Sequence, residues 1–526
     1  MSAPRGDRPG GGDLVVLDAR VRTLDPDAPR ANAFAVRDGR VAHVGTPSGA
    51  RAAAPHAPVL EGKGRTVTPG FTDAHTHLAL WARARARLSL AGAGSLEEAL
   101  ARVAGAHARL APGVRLTGED VPPFGSWGAL PRREELDRAA PGRPVVLYGR
   151  DRHAAWVSSA ALAAAAVTRA TPDPAGGVIA RDAAGEPTGL LYENALAHVA
   201  GADGADDLDA LAGVVERLAE LGITSVHDFG DPAAWAALET LRGQGRLGAR
   251  VAFGFYGASA LPDPSALVAD ELLWPFAIKG FLDGTLGSRS AWMLEPFADG
   301  SGTGIERTDR DAIDQLGEAA RARGLSLALH AIGDRATRAA LDAFARWPEA
   351  DRLRLRPRIE HAQLVHPDDL KRFAELGVVA SMQPVHAVSD RALAARLWGA
   401  RDAAGGYAWG QIERAGARLA FGSDVPIEDP DPRAGLWAAV TGGDEAAWQR
   451  GARPERALLL ETAFAAFTRG AAWAIGREDS LGVLATGAHA DFVVWEEDPW
   501  CVPADRLRAL PLASTWVGGR RVWPRV

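Results

Sequence analysis

Short apolar runs with a period of two open the chain. Leu14-Val-Val-Leu17, Ala33-Phe-Ala-Val36 and Arg40-Val-Ala-His-Val44 alternate in strand fashion, and Asp38-Gly39 supplies a hairpin turn. The pattern returns at the far end in Ala490-Asp-Phe-Val-Val-Trp495, Ser514-Thr-Trp-Val517 and, after Gly518-Gly519, Arg520-Arg-Val-Trp523. Chain ends often lie close together, so residues 1–66 and 480–526 are expected to build one split β-sandwich. Between them, eight apolar runs are each followed by a helix-like stretch, near 71–75, 223–227, 251–256, 276–282, 325–330, 356–361, 377–382 and 418–424. This repetition predicts an α/β fold, a (β/α)8 TIM-like barrel over 67–84 and 216–479. Residues 85–215 then form an insertion between barrel strands one and two. They are too long for a loop and predict a small subdomain or lid, with a strand at Arg143-Pro-Val-Val-Leu-Tyr148.

Composition narrows the function classes. The 526 residues are 47% hydrophobic and 24% charged with a net charge of −7, as in an ordinary soluble globular protein. No basic block is present to follow a phosphate backbone, so nucleic acid is not an expected partner. The opening Met1–Gly12 segment is polar and lacks the apolar core of a signal peptide, which gives a cytoplasmic expectation. No apolar run is long enough to span a bilayer, so no membrane partner is expected either. A small-molecule substrate and assembly as a homodimer are the remaining expectations. The single cysteine, Cys501, rules out an internal disulfide and a cysteine zinc site, so a metal must be held by nitrogen and oxygen.

Such donors occur where the predicted barrel strands end. Asp73-Ala-His75-Thr-His77 closes the first apolar run, and two histidines two apart on a strand share a face. Lys279 falls on strand four, His330 on five, His361 on six and Asp424 on eight, at the barrel end where active sites gather. One such histidine is weak evidence, but six positions in the same phase of a repeat point to one metal site. Lys279 stands between Ile278 and Phe281 in an otherwise interior strand. A buried ammonium must pair, lose its proton or be modified. An ion pair with Asp283 or Glu360 is one solution. The favoured one is a carbamate formed with carbon dioxide, whose two oxygens bridge two divalent ions. Metal-bound hydroxide is then the nucleophile, and Asp424 takes and returns its proton. Asp424 also reads as a cap in Gly422-Ser-Asp-Val-Pro426, a role nearer to Ser423. Asp334 and Glu360 are candidates to orient imidazoles.

Several longer segments carry a resemblance: Pro69-Gly-Phe-Thr-Asp-Ala-His-Thr-His77, the stretch from Ile278 to Arg289, His330-Ala-Ile-Gly-Asp-Arg335, Arg358-Ile-Glu-His-Ala-Gln363, Ser381-Met-Gln-Pro-Val-His386, Phe421-Gly-Ser-Asp-Val-Pro426 and Gly487-Ala-His-Ala-Asp-Phe-Val-Val494. With these the chain resembles the amidohydrolase superfamily, in its YtcJ-like branch with the N-substituted formamide deformylase-like enzymes. The resemblance implies a metal-dependent hydrolase of C–N bonds, with a barrel, a split sandwich and an inserted domain. It implies one metal on His75, His77 and Asp424 and another on His330 and His361, with carboxylated Lys279 bridging and zinc as the usual ion. The segment Asp151-Arg-His153-Ala-Ala-Trp-Val-Ser158 departs from a family pattern that more often reads Asp-Gly-His and ends in Asn. Trp81, His153, Asp283, Arg289, Gln383 and His386 are the candidate substrate-binding residues. Two rival functions stay open on these residues. One is a mononuclear deaminase, which would not require Lys279. The other is a non-catalytic regulatory or binding protein, which would be expected to have a broken ligand set.

Overall fold

The computed structural model describes residues 12–200, 207–262, 269–451 and 454–525. The polar segment that bears on localisation therefore lies almost wholly outside the described residues. At the centre is an eight-stranded parallel sheet. Its strands, in order, are Phe71–Thr76, Ile223–Gly230, Arg250–Tyr256, Leu273–Phe281, Ser326–Ala331, Arg358–His361, Val379–Met382 and Leu419–Phe421. A parallel bridge between Thr76 and Val425 joins the last strand's extension back to the first, so the sheet closes as a TIM-like barrel. Each strand shows its phase in its side chains. In strand five, Leu327 and Leu329 join the main core under the outer helices, while Ala328 packs in a separate inner cluster with Ala252, Phe276 and Ala277. Period two then places His330 on the inner face with Ala328. Gly280 is outward in strand four, where a Cβ would meet Leu316 of the neighbouring helix at 2.9 Å.

The helices begin and end where local chemistry requires. Asp231 caps Pro232–Gly243 with proline at the first helical position. Asp309 caps Arg310–Arg323, and Gly324 ends that helix in the left-handed region at φ 67°.

Both ends of the chain build a two-sheet unit beside the barrel. One sheet orders Arg40–Gly45, Ala33–Arg37, Leu14–Leu17 and Val59–Glu61. The other places the C-terminal strands Arg520–Trp523, Leu512–Val517 and Phe492–Trp495 next to Thr66–Pro69 from the N-terminal part. Val16, Phe34, Val36, Val67, Phe492 and Val494 share its core. Between barrel strands one and two, a mixed six-stranded sheet runs from Leu88–Ser89 to Gly177–Arg181, with its own core around Leu116, Leu147, Trp156 and Leu190. No helix among the described residues is long and apolar enough to cross a membrane.

Barrel and sandwich are pinned by a buried ion pair. Arg250, at the start of strand three, meets both carboxylate oxygens of Asp491, at 2.6 and 3.0 Å, and Asp491 also accepts from Gly518 N at 2.8 Å. Burial opposes the charge on Asp491, but Arg250 outweighs it and holds the carboxyl below its usual pKa. Asp491→Ala leaves the guanidinium buried and unpaired and is expected to cost about 3–5 kcal/mol, read as a lower urea midpoint at pH 7. The pair's contribution is complete above the ordinary carboxylate pKa and is lost as pH falls through the depressed one. The gap between variant and wild type should therefore shrink in acid.

Candidate metal centre and active site

At the carboxyl ends of the strands, each predicted histidine ligand has one ring nitrogen held by an acceptor. Glu360 Oε2 lies 2.6 Å from His75 Nδ1. The Phe229 carbonyl lies 3.1 Å from His77 Nδ1, with the Tyr256 hydroxyl 2.8 Å from the same nitrogen. The Gly284 carbonyl lies 3.1 Å from His330 Nε2, and Gln383 Oε1 lies 2.8 Å from His361 Nδ1. An acceptor on one nitrogen fixes the proton there and leaves a lone pair on the other.

These rings are gathered tightly. His77 Nε2 is 3.2 Å and His75 Nε2 is 3.5 Å from Asp424 Oδ1, and Lys279 Nζ is 3.4 Å from His75 Nε2. The His361 ring centroid is 4.8 Å from that of His75 and 4.6 Å from that of His330. Donor atoms of His75, His77 and Asp424 all lie within 4.8 Å of one another, and so do those of His361, His386 and Asp424. This nitrogen-and-carboxylate chemistry fits a divalent metal. The sequence pairs His330 with His361, yet it is His386 that the structure places in the second close group. Its Nε2 is buried without a hydrogen-bond partner among the described residues, 3.8 Å from Asp424 Oδ2. His330 stands beside His361 but belongs to neither group.

The electrostatics suit the same chemistry. Burial, reinforced by neighbouring cationic groups, drives His75, His330 and His361 well below the usual histidine pKa, into the neutral form that ligates metal. Burial opposes ionisation of Asp424, but the surrounding imidazoles, His75 and His77 foremost, outweigh it and bring the carboxyl down to about 2. Burial lowers Lys279 to about 8. Its ammonium makes no ion pair among the described residues and rests instead over the rings of Phe229 and Phe281, at 4.7 and 5.4 Å. Two site residues have left-handed backbones, His361 at φ 73° and Asp424 at φ 64°. Strict alternation would turn His361 away from the face of Glu360. The left-handed turn puts both beside His75, at a strain of about 1–3 kcal/mol.

The centre forms the floor of a cavity of about 910 Å³. Val121, Pro122, Pro123 and Phe124 from the insertion and Leu393 of the barrel give its lining an apolar part, beside charged groups that include Arg150, Arg152, Asp390 and Glu428. His153, Arg289 and His386 line it. Three other candidates do not. Trp81 packs into the main core from helix Leu78–Arg85, because it is the neighbouring Leu80 that the helix turns to the cavity. Asp283 is fully buried and accepts from the backbone N–H groups of Trp292, Ile332 and Gly333, a loop-fixing role. Gln383 stands behind His361 and orients it. Asp334 accepts from Leu294 N at 2.8 Å instead of orienting an imidazole, whereas Glu360 does hold His75. Ser423 spends its hydroxyl on Asp73 Oδ2 at 2.6 Å and on Val425 N at 3.1 Å. Sequence reasoning missed Tyr256, Arg358, Glu193 and Arg307. For Arg358 the signal was its place two residues before Glu360, on the same strand face.

Residues 59–523 match the model of the amidohydrolase family. The chain is 32% identical to Protein LONG AFTER FAR-RED 3 of Arabidopsis thaliana, over 97% of this chain and 92% of that one. It is 30% identical to putative amidohydrolase YtcJ of Bacillus subtilis, over 96% and 98% of the two chains. N-substituted formamide deformylase of Arthrobacter pascens is 29% identical over 96% and 97%. Among solved structures, an uncharacterized metal-dependent hydrolase from Pyrococcus horikoshii superposes with a TM-score of 0.76 at 26% identity, over 94% of this chain and 99% of that one. The chain belongs to the amidohydrolase family. It is a metal-dependent hydrolase acting on carbon–nitrogen bonds.

Two substitutions test this geometry. Glu360→Gln, which weakens the anchor on His75, is expected to lower metal affinity about 10–100-fold by titration against a chelator. In metal-stripped protein, Lys279→Met removes a buried ammonium and should raise the melting temperature at pH 7. Burial makes Lys279 release its proton at about 8 rather than 10.5, so the wild type recovers this cost as pH rises between those values and the gap closes.

Proposed function

We propose that this protein hydrolyses an amide carrying a sizeable apolar substituent, at a binuclear centre bridged by carboxylated Lys279, with zinc as the expected ion. The observation that carries the reading is Lys279 itself, buried, 3.4 Å from His75 Nε2 and without an ion-pair partner among the described residues. A structural lysine would be expected to end on a carboxylate. One lowered to about 8 is neutral in roughly a tenth of molecules at pH 7, far more than an exposed lysine. Its amine adds to the carbon of carbon dioxide and sheds one proton, giving a carbamate anion with two ligand oxygens.

His75, His77, His330, His361, Asp424 and carboxylated Lys279 would hold the metals, with His386 in reach of Asp424. Divalent ions there supply Lewis-acid polarisation of the amide carbonyl and acidify the attacking water. The chain's own residues supply the rest. Asp424 has one oxygen towards His77 and the other 4.0 Å from His361 and 3.8 Å from His386, so it faces both halves of the site. Ionised at neutral pH, it takes the water's proton and returns it to the departing nitrogen, so that amide and water become carboxylate and amine. The apolar part of the lining, Val121 to Phe124 with Leu393, would receive the substituent. The similarity to N-substituted formamide deformylase along nearly the whole chain supports this substrate class.

The test combines metal analysis with intact mass and a panel of N-formyl and N-acyl amines. Near two metals per chain, a carbon dioxide adduct and turnover of bulky apolar amides are expected. Lys279→Ala should lose most metal and activity, with partial rescue by a short carboxylic acid and bicarbonate. One metal without an adduct, or full activity in Lys279→Ala, would overturn the bridged centre.

A further inference from the structure

The inserted subdomain sends one histidine to the metal-site face of the cavity. His153 lies just before the insertion's strand Ala154–Val157, and its ring stacks on His330, with centroids 4.9 Å apart and planes at 30°. Its side chain is 12% exposed and lines the cavity. Nδ1 is held by Glu193 Oε2 at 2.7 Å, whereas Nε2 has no hydrogen-bond partner among the described residues.

The residue that aims this ring is set with unusual care. Glu193 ends the insertion's strand Pro187–Glu193, its side chain is 0% exposed, and its backbone is left-handed at φ 52°. Two barrel residues converge on it from the segment after strand four, the Ser290 hydroxyl on Oε1 and Arg307 at 3.1 Å on Oε2. Arg307 is fixed in turn by Asn194 Oδ1 at 2.9 Å. Gly284 packs so closely that a Cβ would sit 1.9 Å from Glu193 Oε1, and its carbonyl is the one that holds His330. The clamp on His153 and the anchor of His330 are therefore one piece of structure. A carboxylate buried at a strained backbone position needs compensation. Docking through Glu193 would need only Ser290 and Arg307, and would leave no reason to end the network on a cavity-lining histidine.

We propose that His153 contacts the scissile amide group through Nε2, with Glu193 as its positioning residue, so that the insertion completes the active site. The inference rests on the amide-hydrolase reading above. A ring stacked on His330 and unable to rotate brings a fixed hydrogen-bonding nitrogen to the place where the amide must lie, which favours a productive orientation.

The test uses metal-loaded full-length protein and the best amide of the panel. His153→Ala is expected to lower kcat/KM about 100-fold with metal content unchanged. His153→Phe, which keeps a ring to stack on His330 but lacks the nitrogen, should be equally impaired. Glu193→Gln should cost about 10-fold, and the double variant His153→Ala with Glu193→Gln should be no worse than His153→Ala, because Glu193 acts through the ring. Wild-type kinetics in His153→Phe would overturn the proposal, as would loss of metal in His153→Ala to the extent seen in His330→Ala. Multiplying effects in the double variant would overturn it too, by assigning Glu193 to docking alone. A wild type inactive on the whole panel would instead refute the amide reading, and this inference with it.

Discussion

The buried ion pair of Arg358 and Glu360 is the interaction from which the site is built. Neither side chain is exposed, and the guanidinium reaches four barrel strands at once. It bonds Glu360 on strand six, the Ala74 carbonyl on strand one, His227 Nδ1 on strand two at 2.9 Å and Ser381 Oγ on strand seven. Its positive charge keeps Glu360 ionised against the pull of burial, and Glu360 then fixes His75. A buried pair of this kind contributes little net stability, because desolvation offsets most of the attraction. Its value here is geometric. It sets which nitrogen of His75 carries the proton and makes the barrel interior a rigid base for the ligands.

Above that base, charge and burial work against each other, and a divalent cation would relieve the conflict. Several imidazoles and an ammonium crowd within a few ångströms, and burial drives His75, His330 and His361 to their neutral forms. The neutral imidazoles of His75 and His361 then stand beside the ionised carboxylate of Asp424. Such a set repels added protons and favours a multivalent cation. The left-handed backbones of His361 and Asp424 show that the fold accepts strain to complete it.

The insertion belongs to this arrangement more closely than a cover would. Asp151 accepts from the hydroxyls of Thr285 and Ser288, and Glu193 from Ser290, so two acidic groups of the subdomain grip the segment after strand four. That segment also carries Gly284, whose carbonyl anchors His330. Movement of the subdomain would therefore be felt at the metal-type histidines, through contiguous hydrogen bonds rather than through distant coupling.

The barrel, and the strand ends that carry His75, His77, Lys279, His330, His361 and Asp424, were legible from the chain because period-two alternation and the strand–helix repeat are local properties. The sequence by itself determined which chemistry was available: nitrogen and oxygen donors, one interior lysine and no usable thiol. Only the tertiary structure decided which of those groups meet. Trp81 and Asp283 lie near the site in sequence yet face the core and a loop backbone, because the rotation of a helix and the satisfaction of buried N–H groups set their directions. Glu193 and Arg307 lie far from any motif yet converge on His153, since their contacts span two domains and leave no periodic trace. His386 stands beside Asp424 for the same reason: the distance between two loops is fixed by barrel closure, a property of the whole chain.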